Sequence, residues 1–349
     1  MDKKVTLAII SYNSRLKLAQ SLESVFNLNY SRSLLKVVII DNGSTDSSVG
    51  FVKEKYPEVK VIENYANRGF AEANNQAHFL AKKNQSEYLF LLNDDAMLER
   101  NCLKRLVDYL EAHPKTAAIG PKILLYPDKD KINSLGNSIH FLGFAYCNHY
   151  KKKDNQDEGD VFATPYVSGA ACLLRLSALK QTGLFDDKLF MYHEDVDLGW
   201  KLNLAGYKTM VDPMAVCWHQ YNYSKAKYKF FYMDRNRLMV ILQNYRVATL
   251  IVLFPAWLVM EGGIILFAIK NGWIKEKLKG YLSLIYHLPG IIGRRLDAQF
   301  KIRQVSDREI LKLYVGSIRF QEIDNPLLRY VVNPLMEIYF YLAKLIIFW

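Results

Sequence analysis

The sequence predicts an α/β protein: a Rossmann-like, mostly parallel sheet with helices on both faces, followed by a C-terminal helical region associated with a membrane. Three observations point there. Strand and helix patterns alternate from Val5 to about His113. Polar segments at Ser11–Asn13, Asp41–Ser44, Asn64–Gly69 and Asn93–Asp95 each close an apolar run. Beyond about Tyr221, long apolar runs are separated by clusters of Lys and Arg.

In chain order, Val5–Ile10 reads as a strand with a helix from Leu16, and Lys36–Ile40 as a strand with a helix from Thr45. Val59–Glu63 is followed by a helix from Phe70, and Tyr88–Leu92 by a helix from Glu99 to about His113. This βαβα order is the signature of parallel strands with crossover helices. Such sheets bind ligands beyond the carboxyl ends of their strands, where the four polar loops fall. From Ala117 to Ser168 the alternation gives way to short apolar pieces with turn signals, and Lys151–Asp160 reads as an exposed charged loop. Val167–Leu174 returns to strand character, Glu194–Ala205 reads as a helix ended by Gly206, and Thr209–Trp218 as a strand.

With half of its 349 residues hydrophobic, the chain has material for one large α/β domain, set at 1–230, and a smaller region, 231–349. The formal charge of +11 is concentrated in the second part: residues 1–220 hold 27 Lys and Arg against 26 Asp and Glu, residues 221–349 hold 19 against 9. Because those cations alternate with apolar runs instead of lining a polar face, the partner they suit is a membrane surface and not nucleic acid. Val247–Ile269 carries Glu261 as its only charge and would be roughly 35 Å long as a helix, enough to cross a bilayer core of about 30 Å. Both flanks are basic, however, and a single crossing would put one on the wrong side. A hairpin or re-entrant element broken at Pro255 or Gly262-Gly263 accounts for both facts, and a helix in a soluble core is the alternative. Tyr281–Ile292 and Tyr330–Phe348 add candidate interfacial helices.

Cys102, Cys147, Cys172 and Cys217 form no metal-site spacing and read as reduced core thiols. The apolar run Val5–Ile10 is too short for a signal peptide, so the α/β domain is expected at the cytoplasmic face of the plasma membrane.

Two acidic stations carry the chemistry. Asn93-Asp94-Asp95 closes an apolar run, where one or two carboxylates can hold a divalent cation that neutralises a departing diphosphate; a helix cap or solvated turn is the other use of such a pair. Tyr192-His193-Glu194-Asp195-Val196-Asp197 opens a helix, and Glu194 or Asp195 could serve as a general base. Helix N-termini also favour acids through the macrodipole, but three acids in four positions exceed that need. His219, at the end of a strand-like run, suits a further metal ligand or a structural role.

These pieces, with Ile10-Ser11-Tyr12-Asn13, Ile40-Asp41-Asn42-Gly43-Ser44-Thr45-Asp46, Asn67-Arg68-Gly69-Phe70-Ala71, Asn74-Asn75 and Gly169-Ala170-Ala171, resemble family-2 glycosyltransferases of the GT-A fold, in the bacterial and archaeal branch that includes rhamnosyltransferase-like enzymes. The resemblance runs from residue 4 to about 240 in the family's order. It implies that Asp41 contacts the nucleobase, and that Ser11, Asn13, Asn67 and Gly69 line the nucleotide pocket. Asp95 would be the principal metal ligand of a DxD-like motif whose first position is Asn93, with Mn²⁺ or Mg²⁺ as cofactor and Asp94 near the ribose or diphosphate. Asp195 would be the general base of an inverting displacement, with Glu194 beside it. Phe231–Arg237 resembles a tract of the same branch, whose arginines, Arg235 among them, would meet the donor diphosphate or acceptor phosphate; lipid headgroups are the other use.

The function expected is transfer of a sugar from a dTDP-, UDP- or GDP-linked donor to a lipid-linked saccharide in cell-surface polysaccharide or glycan assembly. The alternatives are a non-catalytic, membrane-docked nucleotide-sugar-binding subunit, and a sugar nucleotidyltransferase. The latter expects a Gly-rich basic loop after the first strand, where this chain has Ser11-Tyr12-Asn13-Ser14-Arg15. Sugar, linkage and oligomeric state are not encoded in these motifs.

Overall fold

The structure is a computed structural model that describes residues 3–155, 159–221, 226–319 and 325–349. Its strands are β1 (Val5–Ser11), β2 (Leu35–Asp41), β3 (Lys60–Glu63), β4 (Tyr88–Asn93), β5 (Ala96–Leu98), β6 (Thr116–Leu125), β7 (Ile132–Ser134), β8 (Asn137–Ile139), β9 (Ala145–Cys147), β10 (Phe162–Ala163), β11 (Ala171–Arg175) and β12 (Lys208–His219). Its α-helices are α1 (Arg15–Phe26), α2 (Ser48–Lys55), α3 (Gly69–Lys83), α4 (Cys102–Ala112), α5 (Leu176–Thr182), α6 (Glu194–Leu204), α7 (Lys227–Asn244), α8 (Val247–Lys270), α9 (Ile274–Tyr286), α10 (Leu288–Asp297), α11 (Asp307–Leu311) and α12 (Asn333–Ile346). They divide into two compact units.

The first unit comprises Met1–Asn137, Cys147–Phe190 and Tyr207–Asn222. Its sheet runs β10-β12-β6-β11-β4-β1-β2-β3, with β5 added to β12 and β7 to β6. β3, β2, β1 and β4 are parallel, as the alternation predicts. The chain moves outward from β1 through β2 to β3 and then returns to place β4 on β1's other side. This reversal puts the carboxyl ends of β1 and β4 at a topological switch point, with Ser11 beside Asp41 and Ile10 beside Asn93 in register. β1, β4 and β11 are almost wholly buried, and Leu7, Ile9, Phe90 and Leu173 lie in the core.

β11 enters antiparallel between β4 and β6, making the sheet mixed. Its first residues lie against the end of β4, where the Asn93 amide donates to the Ala170 carbonyl at 2.9 Å. β6 is a ten-residue buried strand in a stretch that reads as broken pieces, because Gly120-Pro121 sits inside it. Proline cannot donate to a ladder, and the neighbouring strand bulges there: Asp212 pairs with Pro121, but Val216 is the next partner, on Lys122. Helices α2 and α4 each begin three residues after the expected Thr45 and Glu99. Asp46 instead forms a turn by accepting from the Ser48 amide, and Ala96–Leu98 is spent on β5. All four cysteines are free. Within the charged stretch, residues 156–158 lie outside the described residues; Asp154 is buried in an ion pair with Lys122 at 2.7 Å.

The second unit comprises Ser138–Tyr146, Met191–Gly206 and Tyr223–Trp349. The boundary expected at 230/231 falls inside α7, and two earlier segments join this unit. They do so because α6 packs with α7: Asn244 donates to Asp197 Oδ1 at 2.9 Å, and Trp200, fully buried, meets Tyr245 edge-on at 4.6 Å. The α8 run does not break at Pro255 or Gly262-Gly263 as the sequence suggests; Val247–Lys270 is one continuous helix. One lost hydrogen bond at proline and about 1 kcal/mol per glycine are tolerated when the ends are fixed. Asp307 fixes the N-terminus, accepting from the Arg246 amide and Thr249 hydroxyl at 2.8 and 2.6 Å. Reversal comes at Asn271-Gly272, where Gly272 has φ +69° and α9 turns back along α8. Among the described residues α8 alone is long and apolar enough to cross a membrane. Its outer face, with Ile251, Phe254, Leu258 and Leu266, is exposed.

Candidate active site

Five carboxyl-end loops of the first unit build a polar constellation. Asp41 is 3% exposed, and its Oδ2 accepts from the amides of Gly43 (3.1 Å) and Ser44 (2.9 Å). Its Oδ1 is buried with no hydrogen-bond partner among the described residues, leaving an acceptor for an incoming N–H. Asn42 ties the next loop on: its Nδ2 donates to Asn67 Oδ1 and the Gly69 carbonyl, while its Oδ1 accepts from Asn64 and the Arg68 amide. Gly69 has φ +83°, and a Cβ there would fall 2.5 Å from the Phe190 ring. Asn13 bridges two loops, its amide donating to Ser44 Oγ and its Oδ1 accepting from the Thr45 amide.

Asp94 turns toward the loop after β1, taking hydrogen bonds from the Ser14 hydroxyl and the Tyr12 amide; Ser14 also meets buried Ser11 at 3.2 Å. Burial pushes Asp94 up to about 6, the Asp95 charge adding to the rise and the two hydrogen bonds opposing it. Asp95 turns the other way. β5 begins one residue later and pairs Ala96 with His219 at the end of β12, which sets His219 Nε2 3.0 Å from Asp95 Oδ1. Lys17 on α1 reaches Asp95 Oδ2 at 3.2 Å. Burial alone would raise Asp95, but the His219 hydrogen bond and the nearby charges of His219 and Lys17 hold it below its ordinary value.

This pair fits a divalent cation. Cis ligands in an octahedron with bonds of about 2.1 Å stand about 3 Å apart, close to the Asp95–His219 separation. His219 Nδ1 lies 3.1 Å from Asn133 Oδ1, and an N–H donated there leaves the Nε2 lone pair facing Asp95's side. No cluster of three or more His, Cys, Asp or Glu occurs among the described residues. The remaining positions would therefore fall to water and substrate oxygens, as is usual for Mg²⁺ and Mn²⁺.

In the second unit, Glu194 and Asp195 open α6 after two left-handed residues, Tyr192 and His193. Glu194 is buried, and its Oε2 has no partner among the described residues. Burial and then the adjacent Asp195 charge push it up to about 8. Asp195 is half-buried and accepts from the Val196 amide at 2.8 Å. Asp197 is fully buried, bonded to Lys201 at 2.5 Å and to Asn244. Of the three acids, Asp195 is the accessible one.

A sequence profile covering residues 6–183, just over half the chain, matches under the description "Glycosyl transferase family 2". The chain belongs to glycosyl transferase family 2. It is a glycosyltransferase. It is 29% identical over 213 residues to the N-acetylglucosaminyl-diphospho-decaprenol L-rhamnosyltransferase of Mycobacterium tuberculosis (strain CDC 1551 / Oshkosh), covering 55% of this chain and 69% of that enzyme. It is 28% identical over 220 residues to the poly-beta-1,6-N-acetyl-D-glucosamine synthase of Staphylococcus epidermidis, covering 61% of this chain and only 49% of the synthase. Among solved structures, GalNAc-T7 with UDP, GalNAc and Mn²⁺ aligns with a TM-score of 0.57 at 15% identity, over 70% of this chain and 48% of that one. This likeness is one of fold, and the fold is GT-A.

Within this glycosyltransferase, Ser11, Asn13, Asp41, Asn67, Gly69, Asp94, Asp95 and His219 gather at the carboxyl edge of one sheet, while Glu194, Asp195 and Arg235 belong to the second unit. The arginines of the Phe231–Arg237 tract do not present themselves to headgroups. Arg235 is 6% exposed and bonds Asn236 Oδ1; Arg237 is 1% exposed and pairs with Asp234 and Glu261. Lys17, Ser14 and Asn133 were not singled out from the sequence. Lys17 lies on the first turn of α1, a signal available in principle; Asn133 comes from the short β7 and has none.

Proposed function

We propose that this glycosyltransferase moves a sugar, with inversion, from a dTDP-, UDP- or GDP-linked donor to a hydroxyl of a lipid-linked saccharide at the cytoplasmic membrane face, assisted by Mn²⁺ or Mg²⁺. The observation that carries the donor half is the Asp95–His219 pair with Lys17 beside it, at the switch point of the sheet. Asp41 Oδ1 would accept from the nucleobase, with Ser11, Asn13, Asn67 and Gly69 shaping the pocket and Asp94 near the ribose. Asp95 and His219 would hold the metal, which neutralises charge on the diphosphate, and Lys17 would add a further cation. Asp195 would take the acceptor's proton as its oxygen attacks the anomeric carbon from the side opposite the nucleotide. The bond to the diphosphate breaks and the nucleoside diphosphate leaves with the electron pair. Glu194, whose burial favours the protonated form, would keep a second negative charge away from Asp195.

The acceptor class is supported by the decaprenol-linked relative and by the second unit's surface. An open cavity of about 170 Å³ there, walled almost entirely by apolar side chains including Leu142, Leu250, Phe254 and Trp257, is comparable to cavities that take six-carbon rings. It adjoins the exposed face of α8, a surface suited to hydrocarbon.

The test is transfer in detergent or nanodiscs, beginning with dTDP-rhamnose and a diphospho-polyprenyl saccharide, then UDP- and GDP-sugars. Wild type is expected to transfer with inversion, and Asp195→Asn to lose about 10²–10⁴-fold in rate while still binding donor. Undiminished transfer by Asp195→Asn would overturn the base assignment.

A further inference from the structure

We propose that Asn236 is a positioning residue for Glu194 and Asp195, holding the backbone from which they project. This rests on Asp195 being the base. Asn236 lies on α7 and is fully buried. Its Nδ2 donates to two successive carbonyls, Met191 at 2.8 Å and Tyr192 at 2.7 Å. Its Oδ1 accepts from Arg235 Nε and Nη2 at 2.9 and 2.7 Å. A guanidinium can only donate, so it fixes which end of the amide faces it and forces the NH₂ toward the two carbonyls.

The segment so gripped needs gripping. Tyr192 and His193, both non-glycine, have φ 67°. Such backbone is strained for residues with a Cβ and persists where its surroundings over-determine it. Glu194 and Asp195 follow immediately, so the direction in which α6 starts is set by the strained pair. His193 is fastened from another side, its Nε2 3.2 Å from the Gly143 carbonyl. Two turns further along α7, Asn244 holds Asp197 of the same first turn at 2.9 Å. α7 is itself anchored: Asp234 and Arg237 join Glu261 of α8 and Lys277 of α9 in a buried four-charge cluster. The tract that the sequence marked for its arginines thus presents an amide to the base loop, with Arg235 behind it.

The experiment compares wild type, Asn236→Ala and Asn236→Asp in full-length protein, reading kcat for transfer, donor Kd and thermal unfolding. Asn236→Asp keeps the shape and the acceptor for Arg235 but sets a carboxylate oxygen against the two carbonyls. If Asn236 positions the base, kcat falls about 10²-fold in both variants, the loss expected of roughly a 1 Å misplacement, while donor Kd changes less than about threefold. Should Asn236→Ala not fold, the decision rests on Asn236→Asp. A folded Asn236→Asp with wild-type kcat would overturn the proposal, as would parallel loss of kcat and donor affinity. Absence of transfer in wild type would instead overturn the proposed function.

Discussion

Glu194 and Asp195 are neighbours in the chain with opposite environments. Glu194 is buried with an unpartnered oxygen, and Asp195 is accessible. Glu194 sits near 4.5 when unperturbed and about 8 when folded, so between those pH values the folded state holds more proton than the unfolded one. Stability therefore falls as pH rises through that window. Glu194→Gln, which cannot ionise, is expected to match wild type in Tm at pH 4 and exceed it at pH 8; equal Tm values at both would contradict the shift. Gly69→Ala should destabilise by roughly 1–3 kcal/mol, since it meets both a positive φ and the Phe190 ring; chemical denaturation would measure this. At this scale the sequence was readable where a motif ends a strand. Asp41, Asp95 and Gly69 stand where the strand ends predict. The His219–Asp95 contact was less legible, because it depends on a three-residue strand that reads as the start of a helix.

Elements with a clean period were legible, and those containing a conflicting residue were not. β1 and β4 follow from apolar runs and α3 from helical spacing, whereas Gly120-Pro121 hid β6, whose proline is accommodated by a bulge in a strand ninety residues away in sequence. In α8 the apolar run is legible and the continuity of the helix is not, since Asp307 and Gly272 fix the ends from outside it. Glu261, the lone charge of Val247–Ile269, is explained by Arg237, Lys277 and the Tyr281 hydroxyl. Lys277→Ala should leave buried carboxylates uncompensated and cost roughly 3–5 kcal/mol in thermal or denaturant unfolding. Replacing Lys277 and Glu261 together by Leu and Met should cost clearly less than the sum of the single changes. Additive losses would mean that the cluster does not act as a unit.

For the molecule as a whole, the asymmetry of charge and hydropathy separates an α/β unit from a helical one, although the chain visits the helical unit twice before committing to it. The exposed apolar faces of α8, α9 and α12 suit a bilayer. After cell lysis the protein is expected in the membrane fraction, retained through high-salt washing and released by detergent; release by salt alone would point to charge without insertion. Metal-assisted transfer depends first on the donor site. Its most direct test is titration of UDP-, dTDP- and GDP-sugars into wild type and Asp95→Ala, with Mn²⁺ and with chelator. One donor is expected to bind in a metal-dependent manner, and Asp95→Ala to abolish this binding. Donor binding that is the same with chelator and unaffected by Asp95→Ala would contradict it.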